Sequence, residues 1–311
     1  MELSGLYILC GALLLDALLG EAPNRFHPVA WLGNLISMEL KSEPAAGARR
    51  QFFFGMAMVI LTCAAVAVPL YFGFAWLLTL NPVIYVILSV CLLKNTFSLR
   101  GLWQAVQEVK LSLCGSDIEA ARFKARALVS RDTSNLSDEQ LMSAAVESCA
   151  ENLCDSFIAP LFYFAIFGLP GAIVYRIVNT FDAMVGYRGR WEYTGKFAAR
   201  LDDVLNYVPA RLSAILIVTA SGLCRANPAG SWQAMLAQHG RTHSPNAGWS
   251  MCAMAGSLGV VLEKFGEYRL TGGNAVISIA TVTQSQAVML TSAGMWVIMV
   301  AAAEVLLGLA R

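Results

Sequence analysis

The sequence predicts an all-α fold: a polytopic integral membrane bundle with broken or re-entrant helices and a cytoplasmic helical insertion. Hydrophobic residues make up 57% of the 311 residues and charged residues 14%, against about 45–50% and 25% in an ordinary soluble domain. The mean hydropathy is +0.58. We expect one membrane-embedded domain over residues 1–311 that includes a soluble amphipathic helical segment at about 98–156.

Charge and cysteine usage exclude several classes of protein. The formal charge of +1 gives no support for a nucleic-acid partner. The eight cysteines form no C-x-x-C pair, so zinc and disulfide frameworks are poorly supported. We interpret the cysteines as small buried residues in a reducing compartment. Residues 1–20 lack a basic region and a small-residue cleavage site, so we expect a retained membrane segment there.

Six apolar stretches are candidates for membrane segments. A helical span needs roughly 20 apolar residues, and residues 52–80 satisfy this most clearly. The number of crossings is therefore four to six. The candidate stretches are residues 6–19, 52–80, 83–93, 157–178, 204–223 and 286–309.

Polar segments separate these stretches. Residues 20–34 are predicted to form a loop, with Pro23, Pro28 and Gly33 as breakers. Basic residues at 94–131 place that region in the cytoplasm by the positive-inside rule. There, residues 102–113 predict an amphipathic helix, and a capping box at Ser116 predicts a second helix to about residue 129. A third box, at Ser137, opens the next helix.

The apolar stretch 157–178 is interrupted by Gly-Leu-Pro-Gly at 168–171. A straight span and a broken or re-entrant hairpin are both compatible with this pattern. Arg188, Arg190, Lys196 and Arg200 return the following loop to the basic side, which favours the hairpin. Broken helices at membrane depth occur where the backbone lines a cavity rather than lipid.

Acidic side chains recur at helical spacing after residue 140. Glu147, Glu151 and Asp155 lie at i, i+4 and i+8, so a helix places them on one face. They suit a divalent cation such as Mg²⁺, which prefers oxygen ligands, or a general base. The plain alternative is the solvated face of a surface helix. Further carboxylate and amide oxygens favour the functional interpretation: Asn179, Asp182, Asp202, Asp203 and Asn206.

Three arginines have two open interpretations. Arg131, Arg176 and Arg211 either bind phosphate or carboxylate, or neutralise buried acids. Arg131 and Asp132 begin an R-D-T-S turn that resembles an anion-binding turn before a capped helix. His27, which precedes a proline, is a candidate ligand-binding residue or a structural hydrogen-bonding group.

Two glycine-rich patches carry Asn246 and Asn274. They are either simple turns or places where backbone amides approach a phosphate or a large ligand. His239 and His243 are spaced for a metal if helical, but no third ligand is nearby. The chain contains no G-x-x-x-x-G-K-[ST], G-x-S-x-G or H-E-x-x-H pattern.

Several long blocks together resemble the adenosylcobinamide-phosphate synthase family of cobalamin biosynthesis, the CobD/CbiB family. The opening LDALLGEAPNRFHPVAWLGNLI is similar to that family's N-terminal pattern. The central blocks SRDTSNLSDEQLMSAAVESCAEN, GLPGAIVYRIVNTFDAMVGYR and ARLDDVLNYVPARL are similar to its central signature. SPNAGWSMCAMAGSLGV and GGN are similar to its C-terminal elements. The resemblance covers nearly the whole chain.

The resemblance implies an ATP-dependent amide ligase. Such an enzyme joins adenosylcobyric acid to (R)-1-amino-2-propanol O-2-phosphate, or to ethanolamine phosphate, and forms adenosylcobinamide phosphate. ATP is the implied cosubstrate and Mg²⁺ the implied metal. The implied location is the bacterial inner membrane, multi-pass, with the active site at the cytoplasmic rim. An oligomer is compatible with all of this, and the lipid bilayer is the expected surrounding.

Combined with this chemistry, the residues above receive hypothetical roles. The catalytic candidates are Glu147, Glu151, Asp155 and Asp182. The metal candidates are Glu151, Asp155, Asp202 and Asp203. The candidates for binding substrate or phosphate are Arg131, Asp132, Arg176, Asn179, Asn206, Arg211, His27, Asn246 and Asn274. The alternative function is an ion-coupled membrane transporter that uses the intramembrane acids.

Overall fold

The protein is almost entirely helical. A computed structural model describes residues 4–309 except residues 22, 46 and 188. The described part contains thirteen α-helices, one π-helical turn and one antiparallel β-hairpin. The elements are α1 Ser4–Leu19, α2 Pro28–Glu39, α3 Ala48–Leu80, α4 Pro82–Lys94, α5 Leu99–Cys114, α6 Ile118–Ala125, α7 Asp138–Leu153, the π turn Cys154–Ile158, α8 Ala159–Val185, α9 Lys196–Leu205, α10 Tyr207–Leu223, α11 Pro228–Gln238, α12 Ala247–Leu258, β1 Val261–Lys264, β2 Tyr268–Thr271 and α13 Ile279–Leu309.

Long apolar helices confirm a multi-pass membrane protein. Four helical stretches of the described chain are long and apolar enough to cross a membrane, and a fifth counts if α9 and α10 form one broken span. The four are Ala48–Leu80, Pro82–Cys114, Asp138–Val185 and Ile279–Leu309. The 16 residues of α1 are apolar but short for a span. The predicted fold class is therefore confirmed.

The chain divides into two compact units. The first contains the residues up to Ser98, Ala159–Leu205 and the chain from Val300 onward. Its apolar core includes Ile36 of α2, Met58 of α3 and Phe181 of α8. The second contains Leu99–Ile158 and Asn206–Met299. The expectation of one catalytic domain over residues 1–311 concerns function and stays a prediction.

The predicted loop at 20–34 is wrong in its second half. Helix α2 begins at Pro28, and Gly33 lies inside it. Proline is favourable at the first helical position because its missing N–H has no intrahelical partner there. His27 caps the helix: its Nδ1 accepts the N–H of Val29 at 3.2 Å.

The second predicted helix of the cytoplasmic region is shorter than expected and is capped by a different residue. Ser116 has a left-handed backbone (φ 56°). The side chain of Asp117 instead accepts the N–H of Ala120 at 2.9 Å, and α6 ends at Ala125. The capping box at Ser137 is confirmed, because both of its hydrogen bonds to Gln140 are present.

Helix α8 is a hairpin of two helical arms. The backbone of Gly168 is non-helical (φ 67°, ψ −160°), and Pro170 follows it. The rings of Tyr163 and Tyr175 stack with centroids 5.3 Å apart, whereas a straight helix would separate these residues by roughly 18 Å. The chain therefore reverses at Gly168, as the broken or re-entrant alternative predicted.

Close approach of one backbone to another explains several glycines of the second unit. A Cβ added at Gly256 of α12 would overlap the carbonyl oxygen of Gly230 of α11, and one at Gly272 would overlap that of Ala255. These glycines let two helices and the β-hairpin approach closely. The hairpin pairs Leu262 with Leu270 and brings β2 towards α7.

Candidate functional site

The second unit contains a buried carboxylate. Glu147 of α7 is only 3% exposed, so the alternative of a solvated helix face is wrong for this residue. Ser143 Oγ donates to Glu147 Oε1 at 2.7 Å. The hydroxyl of Tyr268 in β2 donates to Glu147 Oε2 at 2.8 Å. Arg131 Nη2 lies 3.5 Å from the same oxygen. Among the predicted residues of this unit, the structure thus pairs Arg131 with Glu147.

The loop that carries Arg131 is held on both sides. Thr133 Oγ1 donates to the carbonyl of Arg122 at 2.7 Å. Exposed Asp132 accepts the N–H and the hydroxyl of Ser134 at 3.0 and 2.8 Å, and these hydrogen bonds lower its pKa. Asp132 therefore shapes the turn, and its predicted binding role stays a prediction.

Glu151 and Asp155, the other two acids predicted to share a face with Glu147, are half-buried. Glu151 lies one turn beyond Glu147 in α7, whereas Asp155 belongs to the π-helical turn. A spacing of 3.6 residues per turn holds only as far as α7 extends, so it does not relate Asp155 to the face of Glu147 and Glu151. Burial raises the pKa of Tyr268 far above its usual range, and the charges of Glu147 and Glu151 raise it further. The Tyr268 hydroxyl thus stays a donor.

A second polar group lies within the first unit. Asn179 of α8 donates to buried Asp202 Oδ1 of α9 at 3.4 Å. Arg176 Nη1 lies 3.5 Å from Asn179 Oδ1. Asp203 pairs loosely with Arg200 at 4.0 Å. Asn179 and Asp202 are 23 residues apart in the sequence, and the structure brings α8 and α9 together. Half-buried Asp182 lies three residues after Asn179 on α8.

Arg211 is stacked on aromatic rings in the second unit. Its guanidinium carbon lies 3.5 Å from the ring centre of Tyr207 and 4.6 Å from that of Trp249. Nη1 donates to Asn246 Oδ1 at 3.1 Å, so two predicted binding residues meet here. Asn206, another predicted binding residue, directly precedes α10 and is buried, with 2% of its surface exposed.

The remaining predicted residues lie in other places. Asn274 lines a polar cleft of about 300 Å³ in the second unit, together with Ser143 and Arg269. In the first unit His27 Nε2 lies 2.6 Å from Glu21 Oε2. His27 is thus a cap and an acid partner, which supports its structural interpretation.

A buried lysine connects this histidine to the end of α1. Lys94 Nζ lies 2.9 Å from Glu21 and 3.2 Å from Asp16. Burial alone would raise the pKa of Glu21, but hydrogen bonds from His27, Ser98 and Lys94 lower it to about 2. This network was not predicted from the sequence. The available signal was a lone acid, Asp16, in one apolar stretch and a lone lysine, Lys94, at the end of another.

The grouping of the acidic side chains bears on the predicted magnesium site. Within the described residues, no three histidine, cysteine or acidic side chains are grouped closely enough to hold a metal ion. Mg²⁺ commonly takes one or two protein carboxylates, with water and substrate phosphates as further ligands. The magnesium assignment of Glu151, Asp155, Asp202 and Asp203 stays a prediction.

Ser143 and Tyr268 were also not predicted from the sequence as site residues. Ser143 stands four residues before Glu147, so the helical spacing contained the signal. Tyr268 lies 121 residues away from Glu147, and only the folding of the β-hairpin onto α7 reveals the contact.

Comparisons with known proteins agree on one family. The family model described as "CobD/Cbib protein" matches residues 9–305. The chain is similar to the cobalamin biosynthesis protein CobD of Dehalococcoides mccartyi (strain CBDB1), with 51% identity over 270 residues and 87% of each chain covered. It is also similar to the probable cobalamin biosynthesis proteins CobD of Methanothermobacter thermautotrophicus (44% identity; 86% of this chain and 87% of the relative) and Methanocaldococcus jannaschii (37%; 86% and 88%). No solved structure matches the chain.

Proposed function

We propose, because the chain belongs to the CobD/Cbib family, that it acts in cobalamin biosynthesis as adenosylcobinamide-phosphate synthase. In this proposal it joins adenosylcobyric acid to aminopropanol phosphate, or to ethanolamine phosphate, through an amide bond with consumption of ATP. It does so as a multi-pass protein of the cell membrane, with the reacting groups on the cytoplasmic side.

The observation that carries the proposal is the buried group of Arg131 and Glu147. Nε and Nη2 of Arg131 are buried and have no hydrogen-bond partner. Buried donors without an acceptor are uncommon in folded proteins. A phosphate or carboxylate oxygen would satisfy them, and both the corrinoid acid and the amine phosphate carry such oxygens.

The chemistry assigns tasks to acids and bases. A carboxylate is a poor electrophile, so the corrinoid carboxylate oxygen first attacks the γ-phosphorus of ATP and releases ADP. The amine nitrogen then attacks the acyl carbon, phosphate leaves, and the amine proton passes to a carboxylate. Cationic side chains stabilise the charge on the transferred phosphoryl group. Mg²⁺, when bound, would neutralise phosphate charge.

We assign these tasks within each unit separately. In the second unit, Glu151 and Asp155 serve as base or magnesium ligands, and Arg131 and Arg211 hold phosphate. In the first unit, Asp202 and Asn179 supply oxygen ligands beside Arg176. The further predicted contributors are Asp182, Asp203, Asn206, Asn246 and Asn274.

The test is turnover by the detergent-solubilised protein. We expect magnesium-dependent ATP consumption only when cobyric acid and the amine phosphate are both present. Glu151→Gln and Asp203→Asn should keep the protein in the membrane but abolish this reaction, whereas Glu119→Gln on an exposed helix face should not. Near-normal turnover in both site variants would discard the residue assignment.

One observation favours a second function, an ion-coupled membrane transporter. Transporters bind substrate at broken helices, and α8 reverses at Gly168. Formation of the amide by solubilised protein separates the two functions, since a transporter makes no product. Substrate flux into proteoliposomes without amide formation would support the transporter.

A further inference from the structure

One edge of the Arg131 guanidinium lacks an acceptor. Nε and Nη2 are the two buried nitrogens without a hydrogen-bond partner. They share the edge on which the N–H bonds run parallel, the geometry that matches two oxygens of a phosphate or carboxylate. The side chain as a whole is 15% exposed. The edge is therefore shaped for an oxyanion.

The neighbouring acid does not fill this edge. Glu147 Oε2 stays 3.5 Å from Nη2, beyond the range of a good N–H···O hydrogen bond. Both of its oxygens are engaged elsewhere, Oε1 by the hydroxyl of Ser143 and Oε2 by that of Tyr268. Two short hydrogen bonds from different elements fix the orientation of the carboxylate.

We infer that Tyr268 and Ser143 are positioning residues that hold Glu147 out of hydrogen-bond reach of Arg131. Arg131 thereby keeps a charge partner, while the parallel N–H bonds of Nε and Nη2 stay without an acceptor and can donate to an oxyanion of the substrate. Glu147 then acts as a fixed counter-ion rather than as base or metal ligand. This inference rests on the proposed function and deepens it, because the oxyanion is a phosphate that the ligase handles.

Further hydrogen bonds hold the group in place. The hydroxyl of Ser148 ties the Arg131 loop to α7 through the carbonyl of Leu128 at 2.9 Å. The N–H of Glu263 in β1 donates to Ser143 Oγ at 3.1 Å. The hairpin that supplies Tyr268 is thus itself attached to α7. A binding group must be held by its own supporting contacts to keep a productive geometry.

The first test removes one hydroxyl. In Tyr268→Phe, Glu147 is free to turn towards Arg131 and close the edge, so anion binding weakens. The measurement is the concentration of inorganic phosphate that gives half of the maximal rise in Tm of the purified protein in detergent. We expect this concentration to rise about tenfold, as for loss of one hydrogen bond to a charged group. The KM for the amine phosphate should rise in parallel, with kcat nearly unchanged.

A second substitution distinguishes positioning from a general loss of structure. In Tyr268→Phe combined with Glu147→Gln, the uncharged amide no longer competes for Arg131, so the half-saturating phosphate concentration should return most of the way to wild type. Arg131→Lys should abolish the phosphate response, since an ammonium lacks the fork. Tyr163→Phe is the matched control: its hydroxyl donates to the carbonyl of Leu205 at 2.8 Å, and its loss should leave the response unchanged.

Each outcome decides the inference. A response of Tyr268→Phe equal to wild type, absence of rescue in the double variant, or absence of any phosphate response in wild type would overturn it. If Tyr268→Phe does not fold, Ser143→Ala removes the other donor and carries the same test. If the phosphate pattern appears but wild type forms no amide, the positioning roles stand and the proposed ligase function fails.

Discussion

The buried charge network at the end of α1 allows a quantitative test. Lys94 is 7% exposed and Asp16 is 4% exposed, and the lysine bridges Asp16 and Glu21 at 3.2 and 2.9 Å. Replacement of Lys94 by Met keeps the length of the side chain but leaves two carboxylates without this cation. We therefore expect Lys94→Met to destabilise the protein strongly.

The magnitude follows from the two contacts. Removal of one partner of a buried ion pair costs about 3–5 kcal/mol. The lowering of the Glu21 pKa from 4.5 to about 2 corresponds to roughly 3 kcal/mol. The Glu21 side chain is 34% exposed and His27 and Ser98 also lower its pKa, so after solvent screening the share of Lys94 is under about 1 kcal/mol. Asp16 dominates, and the total is about 3–4 kcal/mol.

The sign of the pH dependence follows from the lowered pKa of Glu21. Its contribution is fully present above pH 4.5 and is lost as the pH falls towards 2. The effect of Lys94→Met should thus be the same at pH 6 and pH 8. A chain of this size loses about 2 °C in Tm for each kcal/mol, so we expect a loss of roughly 6–8 °C in a thermal unfolding assay in detergent.

Two comparisons sharpen the result. Lys124→Met removes an exposed pair with Glu108 and should cost under about 1 kcal/mol. Asp16→Asn combined with Lys94→Met should regain much of the lost stability, because no buried charge is then left without its partner. Equal Tm values for Lys94→Met and Lys124→Met would refute the reasoning that the network is buried and coupled.

Three further predictions concern the second unit. Gly256→Ala should lower the free energy of unfolding by about 2 kcal/mol, because the new methyl overlaps the carbonyl of Gly230; thermal unfolding measures this. Gln238→Leu should lower it by about 2–3 kcal/mol, since the amide exchanges hydrogen bonds of 2.6 and 2.9 Å with the backbone of β2; hydrogen exchange of β2 should accelerate. Burial raises the pKa of the Cys252 thiol to about 12, so at pH 7 maleimide should label exposed Cys114 well before Cys252.

Two matched variants are the controls for the first two predictions, and the exposed thiol of Cys114 is the control for the third. Gly240→Ala places a methyl in open space, and Gln104→Leu alters an exposed position of α5. A loss in Gly256→Ala no larger than in Gly240→Ala would contradict the close approach of α11 and α12. Unchanged exchange of β2 in Gln238→Leu, or equal labelling rates for the two thiols in folded protein, would contradict the other two.

Sequence patterns predicted most helices because apolar length and capping residues, which define a helix, are local features of the chain. Apolar length indicated the long membrane helices, and the capping box at Ser137 placed the start of α7. The errors arose where the same residue is compatible with two local structures. Pro28 is both a helix breaker and a favoured first helical residue. Ser116 has a left-handed backbone, and Asp117 caps α6 in its place.

The hairpin at Gly168 shows the limit of a local reading. Glycine and proline at 168–171 indicated a break, and the loop charges favoured a reversal. The stacking of Tyr163 on Tyr175 is a contact between the two arms, and it decides the geometry. Neither hydrophobic periodicity nor residue propensity predicts this contact.

The sequence by itself determined the class of the protein, its apolar helices and the placement of Glu147 and Glu151 on one face of α7, because these depend on composition and on helical spacing. Only the tertiary structure decided that Glu147 is buried, that Tyr268 from β2 and Ser143 hold both of its oxygens, and that Arg131 keeps an edge without an acceptor. The physical reason is that burial and hydrogen-bond saturation depend on which distant segments meet. Helical spacing predicts the face of α7 on which Glu147 lies, whereas its partner Tyr268 lies 121 residues further along the chain.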